Sequence, residues 1–154
     1  MANEIERKFL VDKIPELSPK IKSENIKQGY LRRGASKGEP TVRIRQLGDK
    51  GFITIKGDKV GITQSEYEYE IPLKDAQEMF ELCEPGKIDK TRYYIPHGNH
   101  IIELDVFAGD NAGLIIAEIE LASETDQVEI PDWFGKEVTT DRNYSNAALS
   151  KPKM

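Results

Sequence analysis

Charged and apolar residues alternate one by one in stretch after stretch of this chain. Glu4-Ile5-Glu6-Arg7-Lys8, Thr41-Val42-Arg43-Ile44-Arg45, Phe52-Ile53-Thr54-Ile55-Lys56 and Glu66-Tyr67-Glu68-Tyr69-Glu70-Ile71 follow this rule, as does Ile102-Glu103-Leu104-Asp105-Val106. Successive side chains of an extended strand point to opposite faces, so Glu4, Glu6 and Lys8 share one face. On a helix residues two apart do not face each other, and the same set would fan apart. The pattern therefore predicts strands, each with one charged and one apolar face.

Punctuation between these stretches gives the order of elements. Residues 3–11 form a first strand, and a short helix is expected over 16–23. Gln28-Gly29-Tyr30-Leu31 begins a second strand, broken by a turn at Gly34–Gly38. Gly48-Asp49-Lys50-Gly51 is a turn, and 57–63 reads as a Gly- and Asp-containing loop. Pro72 closes a strand; Lys74 to Glu84 then takes helical spacing, with Ala76, Met79, Phe80 and Cys83 on one side, until Pro85-Gly86 stops it. Lys90-Thr91-Arg92-Tyr93-Tyr94 resumes strand character. His97–His100 and Asp110–Gly113 are turns, Leu114 to Leu121 is the last strand, and a short helix is expected near 145–150. Roughly eight strands joined by short turns would shed their edges by closing into an antiparallel barrel. The expected class is mainly β within α+β, an eight-stranded closed barrel with a few flanking helices, formed by residues 1–154 as one domain.

The charged face carries the functional argument. It collects Glu4, Glu6 and Lys8; Arg43 and Arg45; Lys56; Glu66, Glu68 and Glu70; Lys90 and Arg92; Glu103 and Asp105; Glu118 and Glu120. A single strand of this kind is ordinarily just solvated on one side. Across so many strands that account weakens, because the charges come as same-sign pairs, and like charges on neighbouring positions are unfavourable without compensation. With the charged face turned inward, acidic pairs call for a divalent cation, which prefers carboxylate oxygen, and basic pairs call for an anion. A polyphosphate with magnesium supplies both, and arginine's planar fork suits phosphate oxygens.

Bulk properties narrow the field. The formal net charge is −5, against a general nucleic-acid binder, though a local basic cluster can still hold a small anion. No apolar run is long enough for a membrane span, and the N-terminus lacks a signal-peptide layout. The single cysteine, Cys83, excludes an intrachain disulfide framework and fits a cytoplasmic setting.

The opening Glu4-Ile5-Glu6-Arg7-Lys8-Phe9-Leu10-Val11 resembles the ExExK signature of the CYTH proteins, the triphosphate tunnel metalloenzymes. Gln28-Gly29-Tyr30-Leu31, Arg43/Arg45, Lys56, Glu68-Tyr69-Glu70-Ile71, Lys90-Thr91-Arg92-Tyr93, Glu103-Leu104-Asp105-Val106-Phe107, Glu118-Ile119-Glu120 and Trp133-Phe134-Gly135 follow in the family's order. The likeness spans nearly the whole chain and is greatest to short, single-domain bacterial members. It implies a barrel open as a tunnel and metal-dependent hydrolysis of triphosphates, foremost inorganic tripolyphosphate to diphosphate plus phosphate. It implies metal held by Glu4, Glu6, Glu118 and Glu120, with Asp105, Glu68 and Glu70 as further acidic positions. Phosphate would be bound by Lys8, Arg43, Arg45, Lys56 and Arg92, and Lys90 and Tyr30 match positions linked to catalysis. The implied cofactor is Mg²⁺, with Mn²⁺ as the alternative.

Other residues read more plainly. Arg7 has the opposite parity from Lys8 and belongs on the outside. Arg32 and Arg33 read as solvated near a turn, and His97 and His100 as loop residues. Trp133 and Phe134 read as packing for the C-terminal segment, and Asp141, Tyr144 and Asn146 as placing that segment against the tunnel. Three functions compete: a triphosphatase for tripolyphosphate or thiamine triphosphate, a CYTH-type adenylate cyclase, and a non-catalytic polyphosphate carrier. The first has the best support, because a carrier of anions has no use for so many carboxylates. The expected partner is a small triphosphate, with neither nucleic acid nor membrane; a homodimer is left open.

Overall fold

The computed structural model describes residues 3–34 and 38–152. Its strands are β1 (Asn3–Leu10), β2 (Lys22–Arg32), β3 (Thr41–Leu47), β4 (Lys50–Val60), β5 (Thr63–Ile71), β6 (Ile88–His97), β7 (His100–Phe107) and β8 (Ile115–Glu120). They close into one antiparallel barrel in the order β1-β5-β4-β3-β2-β6-β7-β8. Two short helices, α1 (Leu73–Met79) and α2 (Asn146–Leu149), flank it.

The alternation places the core on both sides of the wall. Ile102, Leu104, Ala117 and Ile119 face outward and are covered by Val11, Leu121, Val128, Trp133 and Phe134. Leu10, Ile88, Phe107 and Ile116 have the inward parity and plug one end of the barrel against Tyr144 and Leu149. Trp133 and Phe134 stack edge to face at 4.7 Å, in the packing role expected of them.

β1 changes partner along its length. Asn3–Ile5 pair with β5, while Glu6–Leu10 pair with β8. The edge left open beyond Ile5 is taken by the C-terminal strip. Val138 N–H donates to Lys8 O, Leu10 N–H to Lys136 O and Gly135 N–H to Leu10 O, at 2.7–2.8 Å. Outside the barrel Arg7 forks onto Glu137 at 2.7 and 2.9 Å, as its parity predicts.

Several local expectations are corrected. No helix forms over 16–23: Pro15 precedes the stretch and Pro19 interrupts it, and a proline neither donates to a helix nor leaves its predecessor in the α region. β2 instead starts at Lys22. The loop expected over 57–63 is the tip of a long β4–β5 hairpin, with a register shift between Lys56 and Lys59 and the turn at Gly61-Ile62. The helix expected up to Glu84 ends at Met79 and continues as a 3-10 turn over Phe80–Leu82. The turn at Gly34–Gly38 lies partly outside the described residues. Among the described residues no helix is long and apolar enough to cross a membrane.

Arg33 is the largest surprise. Its guanidinium is mostly buried, bridging Glu84 at 3.0 Å, Ser150 Oγ at 2.8 Å and the Pro85 carbonyl at 2.5 Å. It rivets the end of α2 to the segment after α1. Gly86 sits in the same joint with φ +93°, and a Cβ there would lie 2.0 Å from the Ser150 carbonyl. Both the dihedral and the space demand glycine. Gly86→Ala should therefore lower stability by about 2–3 kcal/mol in urea unfolding, more than an ordinary surface substitution.

Candidate active site

Inside the barrel lies a cavity of about 160 Å³. Its basic walls are Arg43 and Arg45 on β3, Lys56 on β4 and Arg92 on β6. Its acidic walls are Glu4 and Glu6 on β1, Glu66 and Glu68 on β5, Glu103 on β7, and Glu118 and Glu120 on β8. Asn146 of α2 completes the lining. The strand period gathers these side chains: every residue from the strands occupies an inward position of the alternation.

The charges are matched between strands one or two places apart in the barrel. Lys56 Nζ donates to Glu4 at 3.0 Å and lies 3.4 Å from Glu66. Arg43 bonds Thr54 Oγ1 at 3.1 Å and reaches Glu68 at 3.4 Å. Arg45 donates through Nε to Gln28 at 2.8 Å. Burial, helped by the neighbouring Arg43 and Arg92, pulls the Arg45 guanidinium down to about 10. On this wall, among the described residues, Arg43 Nε and Gln28 Nε2 are buried without an acceptor.

The acidic groups stand in pairs. Burial would raise the Glu4 carboxyl, but Lys56 and a hydrogen bond from Glu66 hold it at about 2. Glu66, desolvated and beside Glu4, is pushed up to about 7. Glu6 and Glu118 divide in the same way. Burial and the Glu118 charge raise Glu6 well above the carboxylate range; Lys8, Arg92 and Lys90 overcome burial to hold Glu118 low. Each pair thus sets one low carboxyl beside one raised one. Among the described residues no group of three acidic or histidine side chains forms a ready cage for metal. Paired carboxylates still fit Mg²⁺, which keeps several waters and is usually held by one or two carboxylates together with substrate phosphates.

The structure separates the expected site residues. Glu4, Glu6, Glu68, Glu118 and Glu120 line the cavity with Arg43, Arg45, Lys56 and Arg92. Glu70 is exposed and stands outside the lining; Glu66, two strand periods earlier, lines the cavity instead. Asp105 is not free for a metal. Its oxygens accept from Arg92 Nε and Nη2 at 2.8 and 3.0 Å, with Lys90 Nζ 2.7 Å away, all fully or almost fully buried. Burial alone would raise the Asp105 carboxyl, and Arg92 and Lys90 reverse this and hold it below 3.8. Burial takes Lys90 down to about 8 over the opposing pull of Asp105.

Lys8, Lys90 and Tyr30 are buried behind the lining. Lys8 Nζ lies 3.2 Å from the Tyr144 carbonyl and 3.8 Å from Glu118. Lys90 donates to Asn146 Oδ1 at 3.1 Å. Tyr30 has the inward parity beside Arg43 and is 4% exposed. Lys59 escaped the sequence reading. It lay in the expected loop, yet its ammonium reaches the Thr139 carbonyl at 2.7 Å at the tunnel wall. Glu103, an inward charge by its parity, lies 3.3 Å from Arg92 and lines the cavity. His97 and His100 bind Glu129 O and Asp126, tying the C-terminal strip to the β6–β7 hairpin.

The fold and site define a closed antiparallel barrel whose inner wall carries cations and carboxylates around one cavity. The chain belongs to the CYTH domain family, whose pattern covers residues 2–151. It is 44% identical over 154 residues to an inorganic triphosphatase of Acetivibrio thermocellus, covering 98% of this chain and 95% of the relative. An inorganic triphosphatase of Nitrosomonas europaea is 39% identical over 151 residues, covering 96% of both chains. The crystal structure of the inorganic triphosphatase NE1496 superposes with a TM-score of 0.70 at 35% identity, covering 97% of this chain and 95% of that one. A Pyrococcus horikoshii protein, PH1012, shares the fold at 22% identity with a TM-score of 0.55, covering 79% of both chains.

Asp105→Asn should remove the common partner of Lys90 and Arg92 and destabilise the protein by about 3–5 kcal/mol at pH 7. Because the folded carboxyl is held below its 3.8 reference, its stabilising contribution is full above that value and is lost as pH falls through the lower folded value. Urea titrations at pH 7 and in the acid range should show the gap between wild type and Asp105→Asn closing on acidification.

Proposed function

We propose that the protein hydrolyses linear triphosphates inside the barrel with a divalent metal, and that inorganic tripolyphosphate is the preferred substrate, giving diphosphate and phosphate. The observation that carries this reading is the cluster of Arg43, Arg45, Lys56 and Arg92 around one cavity. A polyanion supplies the negative oxygens that such a cluster recognises. The names of the two curated relatives support the same substrate.

In this reading Arg43, Arg45, Lys56 and Arg92 bind phosphate oxygens and neutralise charge on the transferred phosphoryl group. Lys8, from just behind the lining, adds positive potential. A loose phosphoryl-transfer transition state asks for positioning and electrostatics rather than a side-chain nucleophile. Glu4, Glu6, Glu118 and Glu120 would hold the metal, with Glu66, Glu68 and Glu103 as further acidic neighbours. Mg²⁺, or Mn²⁺ in its place, would supply there neutralisation of phosphate charge and a water of lowered pKa. Asp105 acts as a positioning residue, fixing the Arg92 fork from behind. Lys90 acts through Asn146, which does face the cavity, and Tyr30 supports the Arg43 side of the wall. None of the lining side chains is aromatic or aliphatic, which favours a small inorganic substrate over the base pocket an adenylate cyclase needs. We read the protein as a single-domain cytoplasmic enzyme, in keeping with its one free cysteine.

Phosphate release from tripolyphosphate, ATP and thiamine triphosphate, each with Mg²⁺ and with EDTA, tests this. Release should be fastest from tripolyphosphate, abolished by EDTA, and reduced at least about 100-fold in kcat/KM in the Glu4→Gln/Glu6→Gln variant. Cyclic AMP from ATP would favour the cyclase, and saturable binding without turnover from any substrate would favour a carrier.

A further inference from the structure

The inner face of the wall changes character at the mouth of the barrel. On β6 the inward positions run Lys90, Arg92, Tyr94, Pro96, and on β7 they run Asp105, Glu103, Ile101. Charge gives way to apolar surface within one strand period. Lys22, paired with Tyr94, continues the same face onto β2. The β6–β7 hairpin is held from outside by the contacts of His97 and His100, so its inner surface stays open. Ile101 is 55% exposed there.

These residues are not a scattered patch. Ile21, Tyr94, Pro96 and Ile101 line a half-open cavity of about 510 Å³ together with Lys20 and Lys22. That size falls within the range of small-molecule sites, and so does the composition: apolar walls with few polar groups. Among the described residues neither lysine ammonium is held in an ion pair. The site therefore presents an apolar floor beside two uncommitted cations. The chemistry that satisfies both is a small apolar body carrying a negative group.

We propose that this cavity is a second binding site, for an amphipathic organic anion such as an aryl or short-chain alkyl carboxylate or sulfonate, distinct from the charged cavity deeper in the barrel. Tyr94 stands two residues from Arg92, a separation of roughly 7 Å along a strand. An occupant lies over the approach to Arg92 and hinders entry of a polyphosphate.

The probe is 8-anilinonaphthalene-1-sulfonate, a fluorescent apolar anion. It should bind wild type saturably at one site. Ile101→Asp, which puts a charge into the apolar floor, should weaken binding about tenfold or more. Lys20→Ala/Lys22→Ala should weaken it a few-fold, in a salt-sensitive manner. Tyr69→Glu, on an exposed outer face of β5, is the control and should leave it unchanged. Binding that survives both Ile101→Asp and the lysine variant, or is lost in Tyr69→Glu instead, overturns the assignment. With tripolyphosphate as substrate the probe should raise KM without lowering kcat, and an unchanged KM would overturn the placement over the mouth. Fluorescence reads the site without turnover, so an inactive protein would count against the proposed reaction and not against this cavity.

Discussion

The Asp105 carboxylate is the contact on which the interior depends. It is fully buried, as is Lys90, and it takes both Arg92 donors and the Lys90 ammonium. A buried ion pair is weak evidence of net stability, because desolvation offsets much of the attraction. Its effect here is geometric. With one carboxylate holding two cations from the same strand, Arg92 cannot turn toward solvent, and its remaining donor is left near Glu103 and the cavity. The rest of the inner wall follows the same logic. Each arginine or lysine is oriented by a neighbour across the ladder, so the cationic surface exists before any anion arrives. Such preorganisation is where electrostatic catalysis gains most, since no reorientation is needed as charge develops.

The acidic half of the wall is built differently. In Glu4 with Glu66, and in Glu6 with Glu118, one carboxyl is held low by neighbouring cations while burial and its acidic neighbour push the other up. The apolar plug of Leu10, Ile88, Phe107 and Ile116 closes one end of the same interior, so charge and grease occupy successive layers of one tube.

Much of this was legible because strand alternation is a rigid rule. Once Glu4, Arg43, Lys56, Arg92 and Glu118 were placed on one face, closure of the sheet alone brought them together. What escaped had physical reasons. The hydrophilic run from Lys22 to Asn25 lacks apolar alternation, because at the start of β2 it is solvated on both sides, and so the strand looked shorter than it is. A bulge beyond Lys56 broke the parity and hid Lys59. Glu66 and Glu70 are indistinguishable by period, and only the stagger of β1 against β5 decides which one faces Glu4. Asp105 looked like a ligand because sequence shows charge, not which cation has already claimed it. Arg33 resembled a solvated turn residue since its partners, Glu84 and Ser150, are distant in sequence.

The split pairing of β1 bears on how the chain is made. Its outer half pairs early with β5, but its inner half needs β8, and its exposed edge needs the strip around Glu137. Arg7 and Glu137 are 130 positions apart. Contacts of such separation form late, after the loop-closure entropy between them has been overcome. During synthesis the first seven strands can therefore assemble only as an open, curved sheet with its charged face wet. The tube becomes a tube when β8 pairs with the inner half of β1. Until then the like charges that define the interior repel one another in full contact with water, where salt screens them and no barrier to collapse is raised.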